Sequence, residues 1–236
     1  MRKSLIFSLV LALIGSLEGC QHAFGLSTSD PVIQLGKCQQ QVDSVTKTEE
    51  RYVRLEAEKA ALTQQEVLAR LIFSEALSTG YWKKRCEAPS SEKLMEGIGW
   101  GILNRIQDER SHLNPYFEVI FKKNQFRTSF SSKKKNPFAL AFLCPLRAQN
   151  YLDSISPELS AHTLYHQAQQ VAGRLIRDFK HQGIPPKFQK ITHFFYPQSE
   201  FFGELRPSWA KKKGTSSNLS YRNLFNSENP CVEFYR

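Results

Sequence analysis

The segment Val67 to Ala76, VLARLIFSEA, constrains this chain more than any other. Val67, Leu68, Leu71, Ile72 and Ala76 recur at helical spacing and mark an apolar stripe. Glu75 falls on that stripe, three residues after Ile72 and four after Leu71. A fold that buries this helix must also accommodate its carboxylate. Burial disfavours the charged form, so the Glu75 pKa is expected to rise toward neutrality. A carboxyl that stays protonated near neutral pH suits general-acid chemistry. The plainer use is a core-edge ion pair, with Arg105 or a lysine as partner.

Other helices are legible around this one. Thr48 to Ala61 is charged and free of Gly and Pro, which reads as a solvated helix. Thr63 and Glu66 form a capping-box pattern ahead of the Val67 segment. A further helix spans about Ser91 to Gln107, with Met95, Ile98, Ile102, Leu103 and Ile106 on its apolar side. Gly97, Gly99 and Gly101 lower its propensity by about 1 kcal/mol each. Such alternation points either to close packing on a neighbour or to a broken helix. Tyr116 to Phe121 reads as a short helix behind Pro115. Lys133–Lys135 reads as a loop. His162 to Lys180 is helical, with Leu164, Ala168, Val171, Leu175 and Phe179 inward, and Pro185-Pro186 stops it. KITHFFY, Lys190 to Tyr196, is β-like. The chain is therefore mainly α (α+β), with a short β strand or hairpin near residues 190–203.

The N-terminus reads as an export signal. Arg2 and Lys3 precede the uncharged run LIFSLVLALIG, which is too short to span a bilayer comfortably. Leu17-Glu18-Gly19-Cys20 resembles a bacterial lipobox, with Cys20 as the lipidated residue and Gln21 matching an outer-membrane sorting pattern. Glu18 departs from that pattern, and ordinary signal-peptidase cleavage nearby is the alternative. Cys38, Cys86, Cys144 and Cys231 remain, an even number compatible with disulfides in an oxidising compartment. Buried free thiols are the alternative, and three pairings are open. The resulting organisation is a signal peptide over 1–19, tether and solvated helix over 20–61, a catalytic domain over 62–213 and a C-terminal extension over 214–236.

The formal net charge of +10 draws such a protein to anionic partners: nucleic acid, lipid headgroups or an acidic wall polymer. Lys133–Lys135 and Lys211–Lys213 sit in loop-like stretches of an exported chain. No nucleic acid is expected as partner, although an exported nucleic-acid-binding protein is an alternative reading of the charge. His162 and His166 have i, i+4 spacing without the acid of a zincin motif, so no metal and no cofactor is expected.

Leu68-Ala69-Arg70-Leu71-Ile72-Phe73-Ser74-Glu75-Ala76 resembles the catalytic-helix motif of the spore-cortex-lytic (SleB-type) cell wall hydrolases. Further fragments resemble that family in the same order: Glu96 to Arg105 (EGIGWGILNR), Phe117 to Phe130 (FEVIFKKNQFRTSF), Ala168 to Gly173, Thr192-His193-Phe194, and Pro207-Ser208-Trp209-Ala210. The resemblance covers about residues 66–213. It departs where Ser78-Thr79-Gly80 stand in the region of a frequent second acid. It also departs in an insert carrying Tyr81, Trp82 and Cys86, and at Arg127 after Gln125-Phe126.

The resemblance implies a lysozyme-like helical domain that cleaves the glycan strand of peptidoglycan by lytic transglycosylation. Glu75 would protonate the leaving oxygen and then deprotonate the sugar's own 6-hydroxyl, giving a 1,6-anhydro end. Two-carboxylate glycosidases need a partner acid about 5–10 Å away. Here one well-placed acid is evident, and Asp108, Glu109 and Glu204 are the open candidates for a second. Asn104, Gln125, Thr192 and His193 are candidate hydrogen-bonders to sugar or stem peptide, or else caps and packing residues. Tyr196 and Trp209, with Phe194, are candidates for an apolar face under the sugar ring, or else core. The alternative on the same fold is a catalytically inactive peptidoglycan-binding lipoprotein. The expected partners are peptidoglycan and the membrane, through Cys20; the oligomeric state is open.

Overall fold

The computed structural model describes residues 49–81, 92–108, 114–123, 125–126, 129–130, 136–189, 191, 193–195 and 233–235. These are mostly helical. The helices are α1 (Glu50–Lys59), α2 (Gln64–Tyr81), α3 (Glu92–Asp108), α4 (Pro115–Ile120), α5 (Pro137–Leu143), α6 (Gln149–Ile155) and α7 (Ala161–His181). Short 3-10 turns cover Pro145–Ala148 and Pro186–Phe188. Strand β1 (His193–Phe195) pairs antiparallel with β2 (Glu233–Tyr235), His193 opposite Tyr235. The β1 strand falls in the window expected to be extended, but its partner comes from near the chain's end. The remainder of that window, 196–203, lies outside the described residues, as do the signal, the lipobox with Cys20, and the tether to residue 48.

Helix α2 is the centre. It packs against α7, α5 and α3, and less extensively against α4. Every residue from Leu71 to Ser78 is at most 2% exposed. Eight consecutive residues cover more than two turns, so the helix is enclosed on all sides and not along a single stripe. Surrounding helices obey simpler rules. Helix α7 is amphipathic and turns Leu164, Ala168, Val171, Leu175 and Ile176 inward, while Phe179 is only partly covered. Helix α1 was expected to be solvated, yet Val53 and Ala57 are fully buried in the same core. Arg54 then bridges outward, donating to Glu118 of α4 at 2.8 Å and to Glu58 at 2.7 Å. Those two carboxylates raise its pKa.

Local signals set the helix ends. The Thr63 hydroxyl accepts from the Glu66 N–H at 3.2 Å, as the capping box predicts. The reciprocal half differs: the Glu66 carboxylate accepts from Arg70 at 2.6 Å, an i, i+4 pair within α2. Asn114 and Asn136 cap α4 and α5 ahead of Pro115 and Pro137, and Ser160 caps α7. Helix α7 ends before Gly183, whose φ of 74° is the left-handed geometry that follows many helices. Helix α1 closes the same way with a residue less suited to it. Ala61 has φ 50°; its N–H donates to Glu58 and the Leu62 N–H donates to Ala57, which together form a Schellman turn.

The three glycines of α3 do not break it. Seen from Gly99, the Cδ1 of Leu175 on α7 and of Ile72 on α2 stand where a side chain would begin, Ile72 at 3.0 Å from an ideal Cβ position. Gly99 thus lets three helices converge, which decides between the two sequence readings in favour of close packing.

Two stability outcomes follow from these backbone positions. Ala61→Gly removes left-handed strain of about 1–2 kcal/mol at a smaller entropic cost, so it should stabilise by about 0.5–1 kcal/mol. Gly99→Leu should destabilise by about 2–3 kcal/mol through overpacking. Urea unfolding midpoints of the two variants should therefore move in opposite directions.

Candidate functional site

Glu75 lies in the second half of α2 and is 1% exposed. It is the one carboxylate among the buried polar residues described. Its Oε1 accepts a 2.6 Å hydrogen bond from the Ser129 hydroxyl. Ser129 is itself fully buried, and its oxygen lies 2.8 Å from the Ser74 hydroxyl. Ser74, also fully buried, donates back to the Leu71 carbonyl at 3.1 Å. One turn on, Ser78 donates to the Glu75 carbonyl at 2.6 Å. Helical Ser hydroxyls that bond the preceding turn satisfy themselves when no water is present.

Ser129 reaches Glu75 because its neighbour is anchored. Phe130 packs between Phe121 and Phe142, with ring centroids 5.6 and 5.4 Å away. These aromatics join α4 to α5 beneath the segment. Arg70 fixes the same region from the other side, donating to the Phe142 and Leu143 carbonyls at the end of α5. The last carbonyls of a helix lack partners within it, and a guanidinium near that end also suits its dipole.

Arg105, on α3, supplies the positive charge. Its Nη1 donates to the Gln125 side-chain oxygen at 2.8 Å, and its guanidinium lies over the Phe126 ring at 4.9 Å. Burial lowers its pKa to about 10, and the negative charge of Glu75 works in the opposite direction. Arg105 is therefore cationic at neutral pH. Because its folded value is below the ordinary one, the buried charge costs stability at any pH below about 10. That cost fades as pH rises from there through the unfolded value.

The sequence-predicted site residues divide into three groups. Glu75, Gln125 and Arg105 are brought together through charge and hydrogen bonding. Asn104 is 7% exposed, and its amide donates to the Trp100 carbonyl at 3.0 Å and the Phe188 carbonyl at 2.9 Å. It ties α3 to the Pro186–Phe188 turn, which is the packing use weighed for it. Trp100 and Phe188 stack behind this tie, centroids 5.8 Å apart. His193 belongs to β1, while Thr192, Tyr196 and Trp209 lie outside the described residues. Of the candidate second acids, Asp108 is exposed at the end of α3, and Glu109 and Glu204 are outside the described residues. His162 and His166 are both exposed on α7.

Ser74 and Ser129 were not singled out by the sequence. Ser129 is 54 residues from Glu75 along the chain, and no local pattern marks that contact. Cys144 is disulfide-bonded and fully buried at the end of α5; the other four cysteines lie outside the described residues. Among the described residues no cluster of His, Cys, Asp and Glu could hold a metal ion, and no helix is long and apolar enough to cross a membrane. Compared with family models, curated proteins and solved structures, the chain matches none.

Chemically, the site is a single enclosed carboxyl with a hydroxyl on one oxygen and a guanidinium in its field. The positive charge of Arg105 favours the carboxylate, whereas burial favours the acid. Glu75 and Arg105 should be energetically coupled. A double-mutant cycle with Glu75→Gln and Arg105→Met, measured by urea unfolding at pH 7, should give a coupling of about 1–3 kcal/mol. A coupling near zero would mean that the two charges are independently solvated.

Proposed function

We propose that this chain is an exported peptidoglycan-cleaving enzyme acting on the glycan strand, a lytic transglycosylase with Glu75 as its single acid and then base. The observation that carries this reading is the one buried carboxyl among the described residues, held by Ser129, on the helix whose sequence resembles the SleB-type catalytic motif. The ordered fragments after it support the same assignment. The helical character of the chain is compatible with a lysozyme-like domain, which belongs to the proposal. The disulfide at Cys144 supports an oxidising compartment, and with the N-terminal signal it favours a periplasmic lipoprotein anchored to the outer membrane through Cys20.

The mechanism needs one group in two protonation states. Neutral Glu75 protonates the glycosidic oxygen as the bond to the anomeric carbon breaks. The resulting carboxylate takes the proton from the 6-hydroxyl as that oxygen closes on the same carbon. Well-oriented intramolecular nucleophiles reach effective molarities of about 10⁵–10⁸ M, so no water-activating base is required.

A second reading has a specific observation behind it. Glu75 is 1% exposed and sits in the field of the half-buried Arg105 cation. A carboxylate so enclosed also suits a purely structural role, in a wall-binding protein that no longer cleaves.

Digestion of purified sacculi separates the two. The wild type should release fragments with 1,6-anhydro-muramic ends and take up no label from ¹⁸O-water. Glu75→Gln should remain folded and lose about 10²–10⁴-fold in rate. Label at the cleaved sugar would mean hydrolysis and a second acid. Sacculus binding without release by the wild type would favour the inactive protein.

A further inference from the structure

We propose that Ser74 and Ser129 form a buried hydroxyl relay that favours the protonated form of Glu75, making both of them positioning residues for its acid role. The inference rests on the catalytic reading of Glu75 given above, but its physical basis is a count of protons.

Three oxygen–oxygen contacts run in series. Glu75 Oε1 to Ser129 Oγ is 2.6 Å, Ser129 Oγ to Ser74 Oγ is 2.8 Å, and Ser74 Oγ to the Leu71 carbonyl is 3.1 Å. Each contact needs one proton to be a hydrogen bond. The two hydroxyls carry one proton each, and a carbonyl carries none. The last contact can be made only by the Ser74 proton. With Glu75 ionised, Ser129 donates to the carboxylate and Ser74 to either Ser129 or Leu71, so one of the three contacts has no proton. With Glu75 protonated at Oε1, the acid donates to Ser129, Ser129 to Ser74, and Ser74 to Leu71. All three contacts are then hydrogen bonds, oriented in one direction.

Ser74 and Ser129 are both fully buried, so bulk water does not supply the missing proton. A buried polar contact left without its proton is costly. Further partners of the carboxyl do not change the count along this chain. The hydroxyl–hydroxyl and hydroxyl–carbonyl links are what distinguish it from a single Ser–Glu hydrogen bond, which by itself would favour the carboxylate.

The relay works against a known opponent. On α3, Arg105 brings its positive field to Glu75. Helix α5 carries no titratable side chain. On α4, Glu118 is engaged by Arg54, and burial raises the Tyr116 pKa and keeps that phenol neutral. On α7, burial likewise raises the Tyr165 pKa, and that ring packs edge-on against Phe73. Arg147, in the Pro145–Ala148 turn, is half-buried, and Asp153 of α6 is exposed and bonded to Gln149. Within α2, Glu66 and Arg70 pair with each other. The Arg105 cation and the hydroxyl relay thus push the same carboxyl in opposite directions.

The relay makes the same prediction for both serines, which a single Ser129–carboxylate hydrogen bond does not. In Ser74→Ala the relay loses its outlet. The ionised form becomes fully satisfied by Ser129, while the neutral form leaves the Ser129 proton without an acceptor. The Glu75 titration midpoint should fall. In Ser129→Ala the whole relay is gone: the ionised form loses one hydrogen bond and the neutral form two, so the midpoint should also fall, whereas loss of a lone donor to a carboxylate would raise it. Each change should be about 0.5–1 pH unit, the size expected for one hydrogen bond. The readout is the carbonyl band of the protonated carboxylic acid by infrared difference spectroscopy of the full chain against pH, assigned by its loss in Glu75→Gln.

Alanine is smaller than serine, so neither variant overpacks the core. Should Ser74→Ala fail to fold, Ser74→Cys keeps the shape in a slightly larger side chain with a weaker donor and should move the midpoint the same way by less. A midpoint that rises in Ser129→Ala, or does not fall in Ser74→Ala, overturns the relay. Activity on sacculi is scored separately: if the wild type cleaves, the high-pH limb of its rate profile should follow the spectroscopic midpoint in each variant. If it does not cleave, the reading of function fails, while the midpoint shifts alone decide the relay.

Discussion

Everything in this fold is arranged around one constraint: helix α2 is enclosed on all sides while carrying an ionisable residue in its most enclosed stretch. An apolar helix can be surrounded at little cost, and the packing of α7, α5, α3 and α4 around it follows from burying apolar area. The carboxyl of Glu75 turns that enclosure into a problem of polar satisfaction. It forces a hydroxyl from a distant segment and a guanidinium from α3 toward one point. The positions of Ser129 and Arg105 are intelligible as consequences of that demand.

The same demand explains why the segment after α4 is tied so firmly. Short helices such as α4 and α5 contribute little stability of their own. They are held by Asn caps and first-turn prolines at their starts. Phe121, Phe130 and Phe142 pack between them, and Arg70 covers the carbonyls at the end of α5. Those contacts fix Phe130, and Phe130 carries Ser129 to Glu75. A core made largely of aromatic rings thus serves to place one hydroxyl.

What the sequence made legible follows the length of each periodic run. Helices α2, α3 and α7 are long, and their registers are readable; the alternate glycines of α3 fit either close packing or a break, and the fold takes the first. The Pro137–Ile155 stretch, with α5, a 3-10 turn and α6, went unread because FALAFL is too short to show a period. The only local cue there was Asn136-Pro137. The burial of Glu75 was legible, but for a reason that changed: a stripe was expected, and full enclosure was found. Arg105 was named as an ion-pair partner, and its field does reach Glu75. Gln125 and Asn104 read either as hydrogen-bonders to sugar or stem peptide or as caps and packing residues. In the fold, the Gln125 oxygen serves Arg105 and the Asn104 amide serves two backbone carbonyls. Ser129 had no signal at all, since contacts between segments 54 residues apart leave no periodic trace.

A residue that must act first as acid and then as base cannot be held strongly in either state. Arg105 alone would keep Glu75 ionised, and it stays cationic because even its lowered pKa is about 10. Enclosure alone would keep it protonated. General acid–base efficiency is greatest when the group's pKa lies near the working pH, so two opposed influences suit the task better than one strong one. On the proposed reading, this balance replaces the second carboxylate of ordinary glycosidases. Inverting enzymes separate acid and base between two groups in different environments, and retaining ones give the second carboxylate the part of nucleophile. In the proposed enzyme both roles would fall to one group, and the difference in environment would come from protons moving on and off its neighbours. The hydroxyl chain through Ser129 and Ser74 allows this, because its donors reverse direction as Glu75 gains or loses its proton, with no heavy atom displaced.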